Sequence, residues 1–146
     1  VKEYKADNSG YDGFLDKEDV DPLSRVGYYI LDADRNIVEK SLIDWALWFE
    51  ISDRKVAFTE VGKFDVSTVF LGIDHSFDNG IPLLFETMVF DRKTMKSAQF
   101  DELSELQIDM RRLFGFDFGC CRRYATLSGA EEGHWNIVRI LQANIL

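Results

Sequence analysis

Apolar and polar positions are patterned most clearly between residues 54 and 90. Arg54-Lys-Val-Ala-Phe-Thr-Glu-Val61 and the run from Phe64 to Ile73 predict two strands joined at Gly62-Lys63. A glycine at the first position of a two-residue loop fits a type II′ hairpin. Val66–Ile73 and Pro82–Phe90 predict a second hairpin with a longer, polar loop that carries His75. Val69, Leu71 and Ile73 fall on one face, and Val66, Thr68 and Phe70 on the other. Strands apolar on both faces belong in the middle of a sheet. Glu86 and Thr87 interrupt this pattern, so one of them must point into a semi-buried face, where a carboxylate needs a partner.

Helical spacing appears in three places. Ser41 predicts an N-cap, with Asp44 completing a capping-box-like start. Leu42, Trp45, Ala46 and Phe49 then recur as a buried stripe, which Ile43, Leu47 and Trp48 widen. The two indoles read as core rather than as a stacking surface. Leu103, Leu106, Met110 and Leu113 predict a helix over 101–114, stopped at Gly115. Phe116–Thr126 then returns to strand character. Ser128-Gly-Ala-Glu131 predicts a capping box for a last helix to about Asn144. Ala130, His134, Ile137, Val138, Leu141 and Ile145 form its inward stripe, so His134 is expected to face the core. Gly133 costs a helix about 1 kcal/mol relative to alanine, and close approach of another backbone would explain it.

Ahead of these elements, Val26–Leu31 predicts a first strand and Asp32–Asn36 a turn. The spacing Asp32, Asp34, Asn36 imitates the start of a calcium loop. Ile37 and Ile43 stand where that loop needs glycine and a bidentate glutamate, so calcium is rejected. Residues 1–25 are acidic and rich in turn formers. They predict an irregular arm on the domain with a short helical turn around 16–20, either solvated or an interaction segment.

Composition changes this picture in few ways. A chain of 146 residues, 46% hydrophobic and 14% aromatic, is long and apolar enough for one domain with a core. No apolar run reaches the roughly 18 residues of a membrane span. The charged start, Val1-Lys-Glu-Tyr-Lys-Ala-Asp-Asn8, does not have the pattern of a signal peptide. Adjacent Cys120 and Cys121 point to opposite faces of a strand, so a bridge between them is not expected and a reducing, intracellular setting is. A net charge of −9 excludes ordinary phosphate-backbone binding, so no direct nucleic-acid binding is expected. That acidity serves solubility, or else mimics nucleic acid in the basic groove of another protein.

Trp45-Ala-Leu-Trp-Phe-Glu50, Arg54–Glu60, Val66-Ser-Thr-Val-Phe-Leu-Gly-Ile-Asp-His75, Pro82-Leu-Leu-Phe-Glu-Thr-Met-Val-Phe90, Arg123-Tyr-Ala-Thr126 and Glu131-Glu-Gly-His134 carry a resemblance. Together with Tyr29-Ile-Leu-Asp32 they resemble a family of small uncharacterised bacteriophage and prophage proteins, over roughly 26–90 and 122–140. The arm before residue 26 and the swollen segment 91–121 depart from that family's pattern. The resemblance implies expression in the cytoplasm of a bacterial host cell and supplies no agreed activity.

The candidate polar site is Asp74, His75, Glu86, Thr87, Arg123, Tyr124 and His134. Hairpin register puts Glu86 near Phe70, roughly 13 Å from the Asp74-His75 end at ~3.3 Å per residue. Glu86 is therefore expected to meet Arg123 or His134 instead. No nucleophile elbow, H-E-x-x-H, C-x-x-C, P-loop or G-x-G-x-x-G is present, so the reading leans away from an enzyme, with no cofactor and no metal expected. The expected fold is a single α+β domain, with a mainly antiparallel sheet of four or five strands packed against two to three helices. The expected function is a phage accessory protein that binds a host or phage protein, such as a host factor or defence system, away from membranes. Two alternatives stand beside it. One is a module sequestering a small anionic ligand with Arg122, Arg123, His75 and Tyr124. The other is a metal-assisted hydrolase using Asp74, His75, Glu86 and His134. The oligomeric state is left open.

Overall fold

The computed structural model describes residues 26–74, 76, 80–98, 103 and 121–145. The arm 1–25, His75, Cys120 and the helix expected over 101–114, Leu103 apart, lie outside the described residues. The rest forms an α+β domain. In order, the elements are β1 (Tyr28–Leu31), β2 (Ile37–Lys40), α1 (Leu42–Ile51), β3 (Lys55–Val61), β4 (Phe64–Phe70), β5 (Phe85–Asp91), β6 (Lys96–Ser97), β7 (Cys121–Tyr124) and α2 (Leu127–Asn144). β1 and β2 make a small hairpin. β3, β4 and β5 run antiparallel in that order, and β6 and β7 share the free edge of β5.

The β3–β4 hairpin closes on Val61↔Phe64, and Gly62 takes the positive φ of +56° that the first position of its turn requires. β4 pairs with β5 from Phe64↔Asp91 to Phe70↔Phe85. It stops at Phe70, short of the expected Ile73, because Gly72 turns the chain at φ +70°. A Cβ there would strike the Tyr29 carbonyl and the Trp45 indole, so only glycine admits this approach. The turn delivers residues 72–74 to β1: Tyr29 N–H donates to the Gly72 carbonyl at 2.7 Å, and Ile73 bridges Tyr28. β2 was not expected. Ile37-Val-Glu-Lys40 is a short, mostly exposed strand with little pattern to reveal it. Its approach is the Asp32 turn, where the carboxylate accepts from the N–H groups of Asp34 (2.9 Å) and Asn36 (2.8 Å). The spacing that imitates a calcium loop is an Asx turn.

One face of the large sheet lies under α2. Phe64, Val66, Thr68 and Phe70 from β4 and Phe85, Thr87 and Val89 from β5 point there, all fully buried. Ala130, His134, Ile137, Val138 and Leu141 of α2 meet them, as the spacing predicts. Two apolar clusters result. Val61, Phe64, Val66 and Val89 join Ile137, Val138, Leu141, Ala98 and Leu103 at one end. Phe70, Leu84, Phe85, Tyr124 and Ala130 pack at the other, with Trp48 and Tyr29 beside them. The other face is mixed where an apolar one was expected: Val69, Met88, Phe90 and Phe58 share it with Asp65, Ser67 and Glu86, and Asp65 is compensated by Arg92 at 2.9 Å.

The two helices begin on hydroxyls. Ser41 accepts from Asp44 N–H at 3.1 Å, as expected. α2 starts earlier than the Ser128 box: Thr126 is its N-cap and accepts from Gly129 N–H at 3.0 Å. Thr126 still has extended backbone immediately after β7, so it is the first residue from which the chain can turn into a helix.

α1 differs most from its expected packing. Its inward face is Trp45, Trp48 and Phe49, with Trp48 edge-on to Phe70 and Trp45 between Tyr28 and Phe49. Both indoles are packing groups. Leu42, Ile43, Ala46 and Leu47, expected in the buried stripe, are exposed. α1 is apolar around most of its circumference, so spacing alone assigns it no inward side.

Candidate functional site

β4 and β5 place two threonines opposite each other on the face under α2, and α2 brings a histidine down onto them. Thr68 and Thr87 hydroxyls lie 2.6 Å apart. His134 Nδ1 is 2.8 Å from Thr68 Oγ1, and Nε2 is 2.9 Å from Thr59 Oγ1 on β3. The side chains of His134, Thr68 and Thr87 are fully buried. A polar layer thus separates the two apolar clusters. A neutral imidazole has one donor and one acceptor, and a hydroxyl offers both, so the row is satisfied with either tautomer. Burial pushes the His134 pKa below its ordinary value. His134, Thr68 and Thr87 have no surface open to solvent, and the row fixes the register of α2. Sliding the helix by one turn would leave the imidazole without partners and take its bond from Thr59 and from Thr68, whose bond to Thr87 lies within the sheet, at about 1–3 kcal/mol for each buried group left unpaired.

Thr87 points under α2, and its neighbour Glu86 points to the opposite face, as strand alternation requires. There Glu86 Oε2 accepts from Arg123 Nε at 3.1 Å and from Cys121 Sγ at 3.2 Å. The side chains of Glu86 and Arg123 are 14% and 25% exposed, so this is a semi-buried pair in which each charge compensates the other. Of the two companions expected for Glu86, it is Arg123 that meets it. His134 lies across the sheet. Of the hydrolase constellation Asp74, His75, Glu86 and His134, the three members among the described residues are therefore not brought together. Glu86 and His134 occupy opposite faces, and Asp74 accepts from the N–H groups of Ser76 (2.8 Å) and Leu83 (3.2 Å) in its own loop. Among the described residues no cluster of three or more metal-ligating side chains forms.

The anion-binding set divides in the same way. Arg122 and Tyr124 line a cavity of about 390 Å³ between β7 and α2. Arg123 lies on the other face, and His75 is outside the described residues. Three cavity-lining residues, Glu132, Asn136 and Arg139, were missed because they fall on the solvent side of the predicted α2 stripe. Their spacing with Gly129 and Gly133 was the available signal: two glycines on one side of a helix leave a groove. The Tyr124 ring fills part of that groove, and a methyl group at Gly133 would overlap it. The close approach inferred for Gly133 is thus made by an aromatic side chain and not by a backbone.

These elements define an α+β domain with a polar row inside its core, an ion pair on the far face and a lined cavity at one sheet edge. No family model matches the chain, and neither a curated protein nor a solved structure matches it. No helix among the described residues is long and apolar enough to cross a membrane.

Proposed function

We propose that this chain acts by binding another protein, and that α1 is the element it binds with. The observation that carries this reading is the outward face of α1. Ile43, Leu47 and Ile51 stand one turn apart and are 71%, 62% and 87% exposed, with Leu42 beside them at 46%. Exposed apolar side chains in one contiguous stripe mark interaction surfaces, whereas scattered ones do not. Asp44 and Glu50 lie on the same helix, which has no basic residue. Lys40 lies two residues before the helix and Arg54 three after it, and Arg54 stacks on Phe49 at 3.6 Å and donates to the Phe70 carbonyl. The partner that fits is an apolar groove or helix with a basic rim. A second copy of a chain with net charge −9 fits less well, as does the acidic arm 1–25. The resemblance to phage and prophage proteins supports a partner in a bacterial host cytoplasm, such as a host factor or defence protein.

The test pairs the wild type with a Leu47→Lys/Ile51→Lys variant in a pull-down from host lysate. The expected result is capture of a basic protein, weakened at high salt and lost with the variant. Equal capture by both chains, or a wild-type dimer that the variant dissociates, overturns the reading.

A further inference from the structure

β3 is the outer strand of the large sheet, paired with β4 and with no other strand among the described residues. Val61↔Phe64 closes a two-residue loop and is therefore a hydrogen-bonded pair, and bonded and unbonded pairs alternate along an antiparallel ladder. Thr59 then turns its N–H and C=O to β4, and Phe58 and Glu60 turn theirs outward. Among the described residues no backbone hydrogen bond outside the strand ladders reaches Phe58 or Glu60. A strand of seven residues with outward donors and acceptors is a template for another strand.

Proteins keep such an edge single with proline, with charge or with a bulge. β3 has no proline, and its bulge at Lys55/Ala57 leaves the stretch from Ala57 to Val61 regular. Aromatic side chains flank this stretch. Phe58 is 47% exposed on the far face of the sheet. Trp135 is 53% exposed on the other side of α2 from Gly133, which faces Tyr124 of β7. Its ring is edge-on to His134, whose Nε2 is bonded to Thr59 of β3.

The pattern of β3 is complementary to itself. Its two charges are of opposite sign and stand on either side of Phe58. The Lys55 ammonium is 5.8 Å from the Phe58 ring, and Glu60 meets Arg92 at the long distance of 3.7 Å. Antiparallel pairing about a two-fold axis at Phe58 sets Phe58 against Phe58, and Lys55 of each copy beside Glu60 of the other. The net charge of −9 that disfavours a second copy on α1 is therefore answered locally at this edge. An axis normal to the sheet keeps both α2 helices on one face, with each Trp135 toward the other copy.

We propose that two copies of this chain associate by antiparallel pairing of β3 with β3, centred on Phe58, into one continuous sheet, on a surface independent of α1.

The test is sedimentation velocity of the full chain from about 1 to 100 µM. A species of twice the chain mass, growing with concentration, is expected. Phe58→Lys, at a half-exposed position, sets lysine against lysine on the axis and should weaken the dimer about tenfold or more. Lys55→Glu should weaken it several-fold, and Lys55→Glu/Glu60→Lys, which exchanges the two charges, should restore it. Leu47→Lys/Ile51→Lys should leave it unchanged. A chain that stays monomeric throughout, a dimer that survives Phe58→Lys, a charge exchange that fails to rescue, or a dimer lost with the α1 substitutions overturns the proposal.

Discussion

The two helices differ in what they do with their apolar side chains. α2 is amphipathic and buries Ala130, His134, Ile137, Val138 and Leu141 against the sheet. Among its large apolar side chains only Trp135, at 53%, is more than half exposed. α1 is apolar on nearly every side and has no fully buried residue; Trp45, Trp48 and Phe49 are mostly covered, and the opposite stripe is open to solvent. A helix whose polarity has a clear phase can dock in only one orientation, and its buried groups can then include a polar row that fixes its register. A helix without that phase is held by a few aromatic contacts. The apolar area left outside, at Ile43, Leu47 and Ile51, stays exposed and is the surface the proposed partner would cover.

Three measurements sharpen this contrast. The largest effect is expected for Leu141→Ala, which leaves a cavity beneath α2 and should cost about 3 kcal/mol. That would lower the melting temperature by about 10 °C, and a loss no larger than that of an α1 surface variant would erase the distinction. A smaller effect should come from pH. The folded pKa of His134 is depressed by burial, so its neutral form is the one the fold accommodates. That contribution is complete above the unfolded histidine pKa of ~6.5 and declines as pH falls below it toward the folded value. Stability followed by urea titration should fall as pH drops below about 6.5, before the lowered carboxylates of Asp32 and Asp91 begin to protonate. His134→Phe should flatten that slope; an unchanged slope would remove His134 as its source. The smallest effect is expected for Leu47→Lys/Ile51→Lys. Both positions are exposed, so unfolding free energy should stay within about 0.5 kcal/mol of wild type. A larger drop would mean that α1 covers part of its own chain.

Much of the large sheet was legible because its signals are local. Period-two alternation and the Gly62-Lys63 turn located β3 and β4, and the cost of a semi-buried carboxylate pointed from Glu86 to Arg123 or His134, of which Arg123 is the partner. The stripe on α2 was legible for the same reason. What stayed hidden depends on distinctions that residue type does not carry. Thr59 and Thr68 are as suited to a strand as valine, so nothing in their spacing separates a hydroxyl that holds a histidine from one that fills a β position. The outward side of α1 was hidden by its uniform apolarity. Arg139 and Asn136 look like ordinary solvent-facing residues until β7 is laid alongside α2.

The free edge of β5 has a consequence for how this domain can change. Ser97 pairs opposite Phe90 and Cys121 opposite Met88, so two stretches far apart in sequence meet β5 two residues apart. Along β5 that is about 7 Å at ~3.4 Å per residue. An excursion between neighbouring anchor points can lengthen cheaply, because each doubling adds only about 0.6 kcal/mol of closure entropy. A connection between these two points can therefore change in length at little cost to the register of β3, β4 and β5. The present occupant is more than cargo in one respect: Leu103 is buried beside Val61 and Leu141. Any replacement would have to supply an apolar side chain at that place or leave a leucine-sized void.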